Sequence, residues 1–357
     1  MNLLKLISVK IRRQLIALML LLCTQSTWST QVRLITIGPG DAFWSAFGHT
    51  AIAIDDRVYG FGYFSFTDDL VFDFIENNML YDLGISDINY EARLAEQQGR
   101  AFSVIKLQFD EQQVQQLQAH LEHHYLPENR SYLYDYFSNN CATKIRDLLN
   151  DATAGKLFDS SDVLNDASYH DWTFPATNQG LMNLGLAMGY GWSAYQQQTD
   201  WALMAFPVFL EQAVAEHMDN MISDRQLYLS NQIEFSWLST HWALWSYVIL
   251  FSVLMWFKAT NTWATRSFVY LQALIGLVLT ALWLLTPHAV ADWNFNVLLF
   301  SPLGLWAFGR QIIPHLLLAG WVVWALIAAY LQAWYLFPVL IPCLISWFNL
   351  RSHHQEN

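Results

Sequence analysis

Tyr132-Leu-Tyr-Asp-Tyr-Phe-Ser-Asn-Asn-Cys141-Ala-Thr-Lys-Ile-Arg-Asp-Leu-Leu149 places a lone cysteine directly before a helical pattern. Ile145, Leu148 and Leu149 recur at i, i+3, i+4 spacing, and Asn139 or Asn140 can cap the first turn. A thiol there sits over unpaired backbone N–H groups and the positive end of the helix dipole, surroundings that favour thiolate. Cys141 therefore reads as a candidate nucleophile.

Composition predicts two unlike parts. The 357 residues are 54% hydrophobic and 13% charged, too apolar for one soluble domain and too charged for a bare membrane bundle. Residues 30–240 hold 28 of the 30 acidic residues but 10 of the 18 basic ones, a balance that argues against nucleic acid as a partner. Residues 1–29 read as a signal peptide or an uncleaved anchor. Lys5, Lys10, Arg12 and Arg13 precede the apolar run Leu15 to Leu22, and small residues follow around Ser26 to Thr30. Cys23 invites a lipoprotein signal, but Leu22 is large for that position. Residues 30–240 are thus expected outside the cytoplasm. Cys343 lies in a late apolar segment, so Cys141 is the only thiol of the exported part. Exported domains normally pair their cysteines, and an unpaired one is either buried and inert or kept free for chemistry.

Strands are expected over residues 31–37, up to Ile54 from His49, over Val58 to Phe66, and over Ala101 to Phe109. Asp55-Asp56 reads as a hairpin turn, and Asp68 to Leu83 as helical at first. Asp110 caps a helix to Tyr125 that Pro127 ends. Residues 152–200 look loop-like with short helical pieces, and Trp201 to Met221 helical with a break at Pro207. From 241 to 357 the chain reads as a membrane domain of about five spans: Trp242–Phe257, Ser267–Thr286, Phe295–Gly309, Leu316–Leu331 and Tyr335–Leu350. With five crossings, Lys258, Arg266, Arg310 and Arg351 all fall on the cytoplasmic side. The third is the shortest, contains Pro302, and would misplace Arg310 if re-entrant.

A cysteine nucleophile needs a base in reach and a group to orient that base. His120, His123 and His124 fit a solvated helix face; His123 and His124 lack the neighbours of a zinc motif, and no metal or cofactor is implied. His170 and His217 lie in irregular or surface contexts. His49 follows Gly48 and opens an apolar strand. A strand-start histidine with a helix-start cysteine is the arrangement of papain-like thiol enzymes.

Three strings carry a resemblance: Trp44-Ser45-Ala46-Phe47-Gly48-His49-Thr50, Tyr59-Gly60-Phe61-Gly62, and Tyr132 to Thr143. Together they resemble the Lnb-type lipoprotein N-acyltransferases, whose exported domain is related to circularly permuted NlpC/P60 (papain-like) enzymes, in which His precedes Cys. Asp200…Phe206-Pro207…Leu210 and Asn294-Phe-Asn296…Ser301-Pro302-Leu303 look like later motifs of that family. The resemblance implies an α+β permuted papain-like domain followed by a transmembrane helical bundle. It also implies acyl transfer from a membrane phospholipid, through a Cys141 thioester, to the N-terminal amine of a diacylated lipoprotein at the bacterial inner membrane. Backbone N–H groups of Cys141 and Ala142 are the natural oxyanion donors, and Tyr134 or Asn140 could add one. Tyr59, Asp41 and Ser45 are candidates to orient His49, each equally able to be structural. Arg146 either stabilises thiolate or pairs with Asp135 or Asp147. In the loop after Thr286, His288, Asp292, Trp293, Asn294 and Asn296 lie where lipid headgroups sit, solvated or binding substrate. Two other classes remain open: a cell-wall cysteine peptidase or amidase using the membrane part as an anchor, and a non-catalytic membrane scaffold with a structural Cys141.

Overall fold

The computed structural model describes residues 30–64, 70–157, 164–177, 180–229, 237–257 and 261–356; the expected leader and Lys258 lie outside them. The exported half is a seven-stranded antiparallel sheet in the order β6-β4-β3-β2-β1-β5-β9. Its strands are β1 (Val32–Ile37), β2 (His49–Ile54), β3 (Arg57–Tyr63), β4 (Leu80–Asp87), β5 (Phe102–Leu107), β6 (Ser131–Leu133) and β9 (Ile222–Leu229). Two short strands, β7 (Leu164–Ser168) and β8 (Gln197–Thr199), pair separately. β1, β2, β3 and β5 follow the alternation of the sequence. The helix expected at the start of Asp68 to Leu83 is α1 (Leu70–Ile75), and the strand β4 that follows it was not expected. β4 carries Gly84 and three polar residues and becomes a strand by pairing with β3. β9 is a polar edge strand held on β5 in part by Lys106–Asp224 at 2.9 Å.

Alternation sends successive side chains to opposite faces. Ile35, Ala51, Val58 and Val104 face α2 (Ile88–Gln97) through its Ala95. Leu34, Ile52, Tyr59, Phe61 and Leu83 face the apolar sides of α3 (Glu111–Tyr125) and α4 (Cys141–Ala152). Asp110 caps α3 with a full capping box. After α5 (Tyr169–Ala176) comes α6 (Gly180–Gly189), an apolar helix inside the stretch read as loop-like. Gly180 lies against the Trp242 indole, 2.8 Å from where a Cβ would stand. α7 (Pro207–His217) starts at the proline expected to break a longer helix and returns its Leu210 and Val214 to the core around α4.

Three helices of the described residues are long and apolar enough to cross a membrane: α8 (Trp237–Trp256), α9 (Asn261–Leu285) and α10 (Ile313–Tyr330). α11 (Leu340–Glu356) packs beside them. The stretch Phe295–Gly309 is not the expected helix. It forms 3-10 turns at Phe295–Val297 and Pro302–Trp306, because Pro302 lacks a donor and its ring opposes a helix through 298–301. It still runs the length of the bundle. At the outer end Asn294 bonds the carbonyl of Met188 at 3.0 Å; at the other, His354 bonds that of Ala307 at 2.8 Å. Between them the Phe300 carbonyl occupies the place of a side chain on Gly276 of α9. Leu299, Phe300 and Ala307 are fully covered, which is how irregular backbone is tolerated at membrane depth. Arg266 and Arg351, with Arg310 just beyond this stretch, therefore gather at the end remote from the sheet.

Candidate active site

Cys141 is the first residue of α4, and Asn140 is the cap. The Asn140 Oδ1 accepts from the N–H groups of Ala142 at 2.9 Å and Thr143 at 3.0 Å, while Thr143 Oγ1 accepts from the Asn140 N–H at 2.7 Å. The Asn140 amide donates to the carbonyls of Tyr136 and Ala205, both at 2.9 Å. All its hydrogen-bonding groups are thus engaged. Asn140 is the clamp of the helix start, with both amide protons held by carbonyls. The preceding turn is tied to Asp135, which accepts from Phe137 N, Ser138 N and Ser138 Oγ at 2.7–3.0 Å and from Asn77 at 3.2 Å. Burial pushes the Asp135 carboxyl up, but these bonds outweigh it and hold it below the usual carboxylate range.

His49 opens β2 because Gly48 turns the chain with φ 87°, where a Cβ would stand 2.6 Å from the Ile37 carbonyl oxygen. Its ring lies over bare β3 backbone. A Cβ on Gly62 would be 2.5 Å from His49 Cε1, and one on Gly60 would be 3.2 Å from Nε2. The Cys141 sulfur interacts with the backbone N–H of Thr50, the residue after His49, and with those of Ala142 and Cys141 itself. No hydrogen bond joins thiol and imidazole in this structure; such contacts commonly tighten only around substrate.

Both groups rest neutral. Burial pushes the Cys141 thiol above its ordinary value, outweighing the three backbone N–H groups and the Arg100 charge, which pull it down. Burial also drives the His49 imidazole down to about 4, and Arg100 adds to that. The helix end favours thiolate at Cys141, and desolvation opposes it. Arg100 went unnoticed in the sequence, which marks it only as a basic residue after Gly99 at the head of an apolar strand. It is 9% exposed, donates from Nε to the Gly38 carbonyl at 2.8 Å and from Nη1 to Gln98 at 3.2 Å, and its Nη2 has no partner.

Tyr134 stacks on Tyr81 with centroids 4.0 Å apart, and burial with the nearby Cys141 raises both phenols. The Tyr134 hydroxyl stays neutral beside the sulfur, as a donor must. Tyr59 points to the α4 side of β3, away from the face His49 covers, and lies under Arg57 at 5.3 Å. Ser45 is buried and donates to its own turn, to Ala42 at 3.0 Å. Asp41 is exposed. Arg146 pairs with Asp147 at 2.8 Å and stacks on Trp201 at 4.0 Å. His120 and His123 are exposed on α3.

In the outer loop the two asparagines bond the carbonyl end of a neighbouring helix. Asn294 donates to Met188 and Gly189, both at 3.0 Å; Asn296 donates to Ala187, Met188 and Tyr190 at 3.0–3.2 Å and accepts from Trp324 at 2.9 Å. Together they close the carbonyl end of α6. Trp293 is 70% exposed and leans on Trp283 with centroids 5.5 Å apart.

Residues 23–173 match the family model described as the Lnb N-terminal periplasmic domain. No curated protein and no solved structure matches the chain. That domain and the apolar helices behind it make this a membrane protein with a periplasmic domain, in a family of lipoprotein biogenesis. Over residues 23–173 the chain is similar to the Lnb N-terminal periplasmic domain, which supports its assignment to the Lnb-type lipoprotein N-acyltransferases.

Proposed function

We propose that this chain is a cysteine-dependent N-acyltransferase of the bacterial inner membrane. Its periplasmic domain would be a permuted papain-like fold, moving an acyl chain from a phospholipid to the N-terminal amine of a diacylglyceryl-lipoprotein. The observation that carries this reading is the free Cys141 sulfur, held among backbone N–H groups one residue along from His49, in an Lnb periplasmic domain joined to an apolar bundle.

His49, neutral at rest, takes the Cys141 proton as the sulfur attacks the ester carbonyl carbon. The C–S bond forms and the carbonyl oxygen becomes an oxyanion. The Cys141 N–H, which meets its own sulfur at rest, is one candidate donor to it, the Ala142 N–H being also held by Asn140, and the Tyr134 hydroxyl is a second. Collapse expels the lysophospholipid oxygen, which takes the proton from the His49 imidazolium and leaves a thioester on Cys141. The lipoprotein amine then attacks the thioester carbon and gives a proton to His49. The C–S bond breaks, the thiolate recovers that proton, and an amide remains. Trp293, exposed at the outer end of the bundle, would sit at the lipid interface.

Complementation of a strain lacking its apolipoprotein N-acyltransferase tests this, with mass spectrometry of a lipoprotein N-terminus. The wild type should acylate that amine, and Cys141→Ser and His49→Ala should leave it free. A free amine with the wild type refutes the activity; acylation by either variant refutes the mechanism.

A further inference from the structure

The loop that carries the nucleophile is fastened to the membrane bundle by a pair of side chains 152 positions apart. Tyr136 Oη and His288 Nδ1 share a hydrogen bond of 2.7 Å, and their rings stack with centroids 5.7 Å apart at 21°. His288 is 4% exposed and opens the outer loop that follows α9. That loop is itself rigid. The N–H of Gly191 donates to Val290 at 2.8 Å, that of Trp192 to Trp293 at 3.3 Å, and Ser193 Oγ to the Ala289 carbonyl.

From Tyr136 the connection reaches the sulfur through one residue. The Tyr136 carbonyl accepts from Asn140 Nδ2 at 2.9 Å, and Asn140 Oδ1 accepts from the Ala142 N–H at 2.9 Å. That N–H is one of the three backbone groups acting on Cys141. A shift of Tyr136 therefore moves the Asn140 amide, and with it the donors around the thiol. Asn140 cannot readily re-pair, because its other amide proton is held by the Ala205 carbonyl at 2.9 Å.

We propose that Tyr136 and His288 are positioning residues, through which the outer loop of the membrane bundle sets the geometry of Asn140 and of the backbone donors around Cys141. The proposal deepens the acyltransferase reading and rests on it for the reaction measured. The state of the thiol can be read without it. The membrane part then acts on the chemistry beyond anchoring it.

The test uses the full chain in phospholipid nanodiscs, with Tyr136→Phe, His288→Leu, the double variant, and His288→Asn, which keeps a hydrogen-bonding group near the place of Nδ1. Two rates are measured: acyl transfer to a diacylated lipopeptide, and alkylation of Cys141 by iodoacetamide across pH, followed on the Cys141 peptide by mass spectrometry. Each disrupting single variant should slow acyl transfer about 10-fold, the worth of one such hydrogen bond, with KM for phospholipid nearly unchanged. Each should also displace the alkylation profile. The double variant should be no slower than either single, and His288→Asn should stay within about threefold of wild type. Additive losses in the double variant, an unmoved alkylation profile, or a His288→Asn protein as slow as His288→Leu would overturn the proposal. A wild type that alkylates at Cys141 yet transfers no acyl group refutes the acyltransferase reading alone, and the alkylation profiles still decide the role of the pair.

Discussion

Gly62→Ala is the substitution that bears most directly on His49 as the base. The new methyl would stand 2.5 Å from Cε1 and 3.0 Å from Nδ1 of the imidazole. Carbon atoms rest about 3.5–4.0 Å apart, so the ring must retreat by about 1 Å. A misplacement of that size in a reacting group costs about 100-fold in rate. Gly60→Ala is the internal control, since its methyl would lie 3.2 Å from Nε2 and asks for a few tenths of an ångström. We expect less than about 10-fold there. Neither substitution should unfold the domain, because replacing a strand glycine by alanine recovers about 0.5–1 kcal/mol of backbone entropy against the local crowding. The assay is single-turnover formation of the Cys141 acyl-enzyme by the full chain, followed by intact mass, beside a melting curve. A Gly62→Ala protein within threefold of wild type, folded and with its thiol intact, would refute the placement of His49 at the chemistry. So would equal damage from Gly60→Ala.

The two shifted groups set the pH behaviour. An imidazole titrating at about 4 is already neutral through the physiological range, so acyl transfer should fall only as pH drops toward that value. Cys141 alkylation should still be climbing at its ordinary value of 9.0; a plateau at about pH 6–7 would mean a resting ion pair and contradict the resting state described here. The unfolded chain takes the His49 proton at about 6.5 while the folded one resists it to about 4. Stability is therefore full above 6.5 and declines as pH falls between those values, by up to about 3–4 kcal/mol; His49→Gln should flatten that limb. Asn296→Ala removes donors to three carbonyls and strands the Trp324 indole N–H, so the bundle should lose about 1–3 kcal/mol or more, read as a lower melting temperature in detergent. An unchanged melting temperature would mean that water replaces the amide.

The start of α4 was legible because its signals are local: an asparagine cap, apolar residues at helical spacing, and a cysteine between them. His49 was legible for a similar reason, as the residue between a glycine and an apolar strand. What surrounds them was not. Gly60 and Gly62 look like weak points of a strand until the imidazole is laid on them. Arg100 reaches both catalytic candidates only because β5, β1 and β2 are neighbours, an adjacency of residues about fifty positions apart that no short string carries. At the thiol, the helix end can be read from sequence, whereas the sheet and tyrosines that gather around the half-buried sulfur cannot. Asn294 and Asn296 stood out at the mouth of an apolar bundle, but their partners lie on α6, a helix the composition hides among glycines. β4 leaves no signal of its own: its residues do not prefer a strand, and its neighbour decides.

The non-helical crossing from Asn294 to Gly309 bears on how the protein is made. A helix entering lipid brings its hydrogen bonds with it, whereas this segment must borrow shelter from α9 and α10. Its preceding wall, the Gly276 groove, is synthesised first, and its following wall, α10, arrives last. The nascent chain therefore has to keep the segment in an aqueous or proteinaceous environment until Ile313–Tyr330 has emerged. Chains stopped just before Ile313 should leave Arg310 on the wrong side, which glycosylation mapping would register; correct placement in such chains would refute this order of assembly. On this order of assembly, integration of the bundle is one cooperative event spanning α9 to α10, settled only when the last wall closes.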